Sequence, residues 1–128
     1  MSQRIIVIDN DSKILEVVQE ALQDEGFEVE VYSQTSDVID LVQQQQPDLL
    51  ILDYILDGIN GGEFCRQLKK QSATAGLPVI LCSGYSKVLY SLGFYGCDTF
   101  LEKPFDHREL IQQVQLLLNG KPKAVSSV

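Results

Sequence analysis

Four short runs in this chain each end on a polar group. Ile5-Ile6-Val7-Ile8 leads into Asp9, and Leu49-Leu50-Ile51-Leu52 into Asp53. Val79-Ile80-Leu81-Cys82 leads into Ser83, and Thr99-Phe100-Leu101-Glu102 into Lys103 and Pro104. Two carboxylates at adjacent strand ends make a hard, anionic pocket suited to Mg²⁺, which prefers oxygen ligands and keeps several waters. A carboxylate can also act as a nucleophile and accept a phosphoryl group, giving an aspartyl phosphate. That transfer needs a metal, a fixed cation to offset charge on the phosphoryl oxygens, and in-line positioning. Lys103 is the candidate cation, and Ser83 the candidate hydrogen-bond donor to a phosphoryl oxygen.

These groups lie far apart in sequence, so the fold must gather them. Short apolar runs separated by helical patterns read as buried parallel strands. In an open parallel sheet the carboxyl ends of the strands share one edge, where ligands bind. Between the strands the pattern is helical. Ile14, Leu15, Val18 and Leu22 form the face of helix one, capped by Asp11 or Ser12 and ended by Gly26. Glu28-Val29-Glu30-Val31-Tyr32 alternates and predicts a half-exposed edge strand. Val38, Ile39, Leu41 and Val42 mark helix two, which stops before Pro47. A loop over Asp57-Gly58-Ile59-Asn60-Gly61-Gly62 leads into helix three, with Phe64, Cys65 and Leu68 inward. Tyr85 to Leu92 is a weaker helix four, and the aromatics Tyr85, Tyr90, Phe94 and Tyr95 around it read mainly as packing. Helix five starts most clearly: Asp106 caps, Glu109 completes a capping box, and Phe105 can staple against Leu110. The β-α order repeats five times, which predicts a doubly wound α/β domain over 1–120 and a flexible tail or truncated linker over 121–128.

At 128 residues the chain is long enough for one domain with a full core. A formal net charge of −8 argues against nucleic acid or an anionic membrane as the main partner. There is no apolar run of membrane-spanning length and no signal-peptide pattern, so the expected location is cytoplasmic. Cys65, Cys82 and Cys97 are odd in number and widely spaced, which predicts neither a disulfide framework nor a zinc site. The single histidine, His107, reads as a solvated residue at a helix start. Asp9, Asn10 and Asp11 are also good capping types, so capping alone explains part of that cluster. Asp53 is harder to explain as structure, because an acid after four apolar residues is costly unless it ends a strand or is paired.

The chain resembles the receiver domain of two-component response regulators, from about Arg4 to Asn119. The resemblance rests on Val7-Ile8-Asp9-Asn10-Asp11, on Leu52-Asp53 with downstream Gly61, on Ser83-Gly84, and on Lys103-Pro104-Phe105, in order and in register with the β-α units. It implies a flavodoxin-like three-layer sandwich whose five-stranded parallel sheet has order 2-1-3-4-5. It implies that Asp53 accepts a phosphoryl group from the phosphohistidine of a histidine kinase or phosphotransfer protein. Mg²⁺ would be organised by Asp9, Asn10, Asp53 and the backbone carbonyl of Ile55. Ser83 and Lys103 would hold the phosphoryl group, and Phe100 matches the aromatic switch position. The resemblance also implies a cis Lys103–Pro104 bond. The output face would be helix four, strand five and helix five, acting on a downstream effector as a monomer or a phosphorylation-dependent dimer. Such a module is a signalling phosphoacceptor rather than an enzyme.

Two positions depart from the family pattern. Asn10 stands where a second acid is usual, which predicts weakened Mg²⁺ affinity unless Asp11 or Asp57 compensates. Asp57 stands where many relatives have proline. Ile55 and Tyr85 flank the expected path of attacking water and are bulky, which predicts a long-lived phosphoryl group. Two rivals remain. One is a receiver-like scaffold that no longer phosphorylates, supported by Asn10. The other is a small α/β enzyme or cofactor binder. A dehalogenase-type phosphatase needs an aspartate where Ile55 stands. A flavodoxin's phosphate would be repelled by Asp9-Asn10-Asp11. A cobalamin domain needs a ligand histidine, and His107 is misplaced for it.

Overall fold

Three runs of five residues rich in Ile, Leu and Val form the middle of the sheet in the computed structural model, which describes residues 3–34, 37–56, 59–84 and 97–119. The elements are β1 (Arg4–Ile8), α1 (Ser12–Asp24), β2 (Glu28–Tyr32), α2 (Val38–Gln45), β3 (Leu49–Asp53), β4 (Ile55–Leu56), β5 (Ile59–Asn60), α3 (Gly61–Lys70), β6 (Val79–Ser83), β7 (Thr99–Glu102) and α4 (His107–Asn119). The main sheet is wholly parallel with order β2-β1-β3-β6-β7. Counting only its own strands, this is the expected order 2-1-3-4-5. The expected helix over Tyr85 to Leu92 and the tail over 121–128 lie outside the described residues, as do Asp57 and Gly58.

Alternation along each strand sends successive side chains to opposite faces. Ile5, Val7, Leu49, Ile51, Ile80 and Cys82 pack with Leu15, Val18 and Leu22 of α1 and Leu110 and Val114 of α4. Ile6, Ile8, Leu50, Leu52, Val79 and Leu81 pack with Val38 and Val42 of α2 and Cys65 and Leu68 of α3. Among the described residues the result is three layers, with the sheet between two helix pairs. Every residue of β3 and β6 is buried, whereas β2 runs from exposed to half-buried, as an edge strand should.

Helix ends follow the sequence signals. Asp11 caps α1 by accepting from the Lys13 N–H at 3.0 Å. Gly26, with φ +94°, ends α1: its N–H reaches the Gln23 carbonyl, and the Phe27 N–H reaches the Leu22 carbonyl. Those two bonds form a Schellman motif, and Leu22 and Phe27 meet in the same core cluster. The capping box at α4 closes both ways, with Glu109 N–H to Asp106 Oδ1 at 2.8 Å and Asp106 N–H to Glu109 Oε1 at 3.4 Å. Phe105 and Leu110 share the core cluster below it, as a staple does.

Two expectations are corrected. The loop expected over 57–62 is shorter: Ile55-Leu56 pairs antiparallel with Ile59-Asn60, and α3 begins directly at Gly61. The two-residue Asp57-Gly58 spacing is the hairpin signal that points there. The number and spacing of the cysteines predict no disulfide framework, yet Cys65 of α3 is joined to Cys97 just before β7. Their wide spacing in sequence is no bar, because the sheet order brings the end of the β6–β7 connection back beside α3.

Asp98 locks the same corner. Its Oδ2 accepts from the Val79 N–H at 2.8 Å and from Lys69 Nζ at 2.7 Å, while Lys69 Nζ also reaches the Leu77 carbonyl at 2.7 Å. Asp98→Ala leaves a backbone donor and an ammonium short of an acceptor, so it is expected to cost about 1–3 kcal/mol in denaturant unfolding. Asp106→Ala at the α4 cap serves as a comparison, with an expected cost of about 1 kcal/mol.

Candidate functional site

Register decides which side chains meet. Ile8 pairs with Leu52, and Asp53 with Cys82, so the residues that follow β1 and close β3 reach the carboxyl edge together. Ser83 closes β6 and pairs with Glu102, which places Lys103 one residue beyond it. Backbone bonds fix the exits from the sheet. The Asp9 N–H donates to the Tyr32 carbonyl at 3.1 Å, the Tyr54 N–H to the Cys82 carbonyl at 2.8 Å, and the Lys103 N–H to the Ser83 carbonyl at 2.8 Å. The Lys103–Pro104 peptide is cis.

Asp9, Asp53 and Ser83 are 3%, 7% and 2% exposed. Lys103 reaches across the edge: its Nζ lies 2.8 Å from Asp9 Oδ2 and 3.0 Å from Asp53 Oδ1. One ammonium thus bridges two buried carboxylates that are 44 positions apart in the chain. The second oxygen of Asp9 accepts from the Asp11 N–H at 2.9 Å, which orients the carboxylate against the start of α1. Asn10 is exposed beside it. Asp11 spends its own carboxylate on capping α1.

The electrostatics are those of a crowded anionic pocket. Burial pushes the Asp53 carboxyl above the usual range; the hydrogen bond from Lys103 opposes this, and the neighbouring charge of Asp9 adds to it. Burial alone would lower Lys103, but its hydrogen bonds to Asp9 and Asp53 more than reverse that and hold it above the usual lysine value. Beneath them the thiol of Cys82 is pushed up to about 12, chiefly by burial, and is an inert part of the core.

A raised carboxylate pKa has a definite sign for stability. The folded chain holds the Asp53 proton more tightly than the unfolded chain, so the folded state loses relative stability as pH rises from the ordinary carboxylate range through the raised value. Metal-free wild type is therefore expected to lose stability relative to Asp53→Asn from about pH 4 upward. Parallel melting curves across that range check it; two curves with the same pH dependence would overturn it.

The donor set fits Mg²⁺. Two carboxylates that already share one cation are hard oxygen ligands within reach of a single ion. Among the described residues no group of three or more His, Cys, Asp and Glu gathers. A magnesium ion here would thus lean on Asp9, Asp53, neutral oxygens and water. Ile55, whose carbonyl was a predicted ligand, opens the β4–β5 pair immediately after the site. Phe100 lies on β7, half-buried against the cluster under α2 and α3. Tyr85 lies outside the described residues. The expected Asp9, Asp53 and Lys103 come together, Ser83 ends the adjacent strand, and Asn10 stays at the rim. The bridging role of Lys103 was missed, because charge type and position do not say which acid a lysine will reach.

The model of the response regulator receiver domain matches residues 5–115. The DNA-binding response regulator MtrA of Mycolicibacterium smegmatis is 34% identical over 120 residues, covering 92% of this chain and 51% of that protein. MtrA of Mycobacterium leprae is 33% identical over 120 residues, with 92% and 52% covered. The chain thus spans about half the length of these relatives. Among solved structures, the signal receiver domain of a signal transduction histidine kinase from Syntrophus aciditrophicus superposes with a TM-score of 0.83 at 27% identity, covering 99% of this chain and 97% of that one. The response regulator TrrA of Thermotoga maritima, in complex with Mg²⁺ and BeF, superposes with a TM-score of 0.81 at 30% identity, covering 91% and 99%. With this match, the parallel five-stranded sheet and the acidic edge gathered by Lys103, the chain belongs to the family of response regulator receiver domains.

Proposed function

We propose that this module accepts a phosphoryl group on Asp53 from the phosphohistidine of a histidine kinase or phosphotransfer protein, and relays that state to an effector. The observation that carries the reading is the Lys103 ammonium lying between Asp9 and Asp53 at a buried sheet edge. Asp53 is the nucleophile, and its carboxylate oxygen attacks phosphorus as the histidine nitrogen leaves. Asp9, Asp53, Asn10 and the Ile55 carbonyl are the residues to hold Mg²⁺, which offsets charge on the phosphoryl oxygens when bound. Lys103 supplies a second, fixed positive charge. Ser83 donates to a phosphoryl oxygen and moves with Phe100, altering the face built on β7 and α4. The effector contacts that face, and the module is a monomer or a phosphorylation-dependent dimer. A net charge of −8 supports a module that does not itself touch nucleic acid, even though its MtrA relatives are DNA-binding proteins of twice the length. A cytoplasmic setting fits the family.

Intact mass after incubation with acetyl phosphate and Mg²⁺ tests the proposal. One added phosphate in wild type and none in Asp53→Asn supports it. No gain in either, with a competent phosphodonor kinase also supplied, overturns it in favour of a phosphorylation-independent scaffold. Asn10 is the observation behind that second reading, because among the described residues it leaves the pocket with two carboxylates and one ammonium. Asn10→Asp is expected to tighten Mg²⁺ binding by roughly tenfold, the effect of one added charge near a partly solvated ion. Calorimetric titration checks this, and equal affinities would remove it.

A further inference from the structure

We infer that Cys65 and Cys97 form a reversible thiol–disulfide site that staples α3 to the entrance of β7. The two residues are 32 positions apart and are bonded in the fold, with their Cα atoms 6.0 Å apart, within the span that disulfides require. Their neighbours hold them together independently of sulfur. Lys69 lies one turn along α3 from Cys65, and Asp98 directly follows Cys97; these two form an ion pair at 2.7 Å, while Asp98 also holds the Val79 N–H. The reduced chain therefore already presents the two thiols to each other. Cys65 is fully buried and Cys97 is half-buried, so a small oxidant enters at Cys97. The third cysteine offers no competing partner: Cys82 is buried on the opposite core cluster, between β6 and the helix pair α1 and α4.

The oxidant is a low-molecular-weight disulfide of the glutathione class. The Cys97 thiolate attacks one sulfur of that disulfide and expels a small thiolate, which takes the proton Cys97 released. The Cys65 thiolate then attacks the Cys97 sulfur of the mixed disulfide, forming the bridge and expelling the second small thiol with the proton from Cys65. Two protein thiols are oxidised and one small disulfide is reduced to two thiols. Excess small thiol runs the sequence backwards, and in a reducing compartment bonds of this kind are transient and regulatory. The bridge encloses residues 66–96, which carry β6 and Ser83, and it ends three residues before Phe100. Thiol oxidation thus acts on the wall that the proposed switch must move, through chemistry separate from Asp53.

The test equilibrates the whole chain in glutathione buffers of graded ratio, quenches with an alkylating reagent, and reads intact mass, a peptide map and melting temperature. The expected result is a loss of two hydrogens, a linked Cys65–Cys97 peptide, Cys82 alkylated only after denaturation, and a Tm higher by roughly 10 °C in the oxidised form. Cys97→Ser is expected to abolish the mass change and the redox dependence of Tm while melting like the reduced wild type. The absence of a Cys65–Cys97 peptide at every ratio overturns the inference, as does a redox-dependent Tm that survives in Cys97→Ser. Phosphate uptake is scored separately, and its failure bears only on the role of Asp53.

Discussion

With acetyl phosphate and Mg²⁺ present, Lys103→Met is expected to take up phosphate roughly 100-fold more slowly than wild type, and Asp53→Asn not at all. Methionine keeps an unbranched apolar stem of similar length but removes the cation that touches both Asp9 and Asp53. Charge builds on the phosphoryl oxygens during transfer, and a positive group held in a buried site acts on it without reorganising. The same substitution leaves two buried carboxylates facing each other. The folded metal-free protein is expected to lose about 3 kcal/mol, as when one partner of a buried ion pair is deleted. Mg²⁺ can take over the vacated charge, so it should raise the Tm of Lys103→Met more than that of wild type. Time-resolved intact mass and paired melting curves with and without Mg²⁺ check both parts. A wild-type rate in Lys103→Met would sink the electrostatic role, and equal Mg²⁺ responses would show that the ammonium and the metal do not share the pocket.

The contrast between those two readouts shows why the site needs its particular fold. Asp9 and Asp53 repel, and burial raises the cost of keeping Asp53 ionised. The parallel ladder holds them at one edge: the Asp9 N–H is bonded to the Tyr32 carbonyl, and the Tyr54 N–H, just past Asp53, to the Cys82 carbonyl. The energy that sustains the acidic pocket therefore comes from the apolar strands beneath it.

Much of this was legible in the chain itself. The strands β1, β3 and β6 are visible because four apolar residues in a row, closed by a polar residue, suit a strand buried on both faces. The edge position of β2 was visible in the alternation from Glu28 to Tyr32. The α4 cap was visible because Asp106, Glu109, Phe105 and Leu110 stand at fixed offsets that need only local geometry. What failed depended on contacts between distant segments. No local pattern ties Cys65 to Cys97 or Asp98 to Lys69, since each contact arises only after β6 and β7 have docked side by side. Lys103 was identified by type and by its setting before Pro104, yet its reach to both acids depends on the register of three strand ends. The β4–β5 pair was missed for a different reason: its strands are two residues long, too short for any periodicity to show.

Leu50→Ala is expected to cost about 3–4 kcal/mol and to lower Tm by roughly 10 °C, whereas Val31→Ala should cost about 1 kcal/mol. Leu50 has no exposed surface and stands in the middle of the sheet, between Ile6 of β1 and Val79 of β6, against the face covered by α2 and α3. Its neighbours are strands fixed on both sides, so the space left by truncation cannot collapse. Val31 lies on the edge strand β2, half-buried, where water can fill in behind a smaller side chain. Denaturant unfolding of both variants checks the ratio, and equal costs would contradict the layered core. Leu50 is also three residues from Asp53 on the same strand, while its backbone N–H is bonded to the Pro78 carbonyl at 3.0 Å. The ladder survives loss of the side chain, so folded Leu50→Ala should keep Asp53 in register and take up phosphate at close to the wild-type rate. Stability and chemistry then separate within a single strand: the apolar residues hold the edge in place, and the carboxylate at its end is the proposed phosphoryl acceptor.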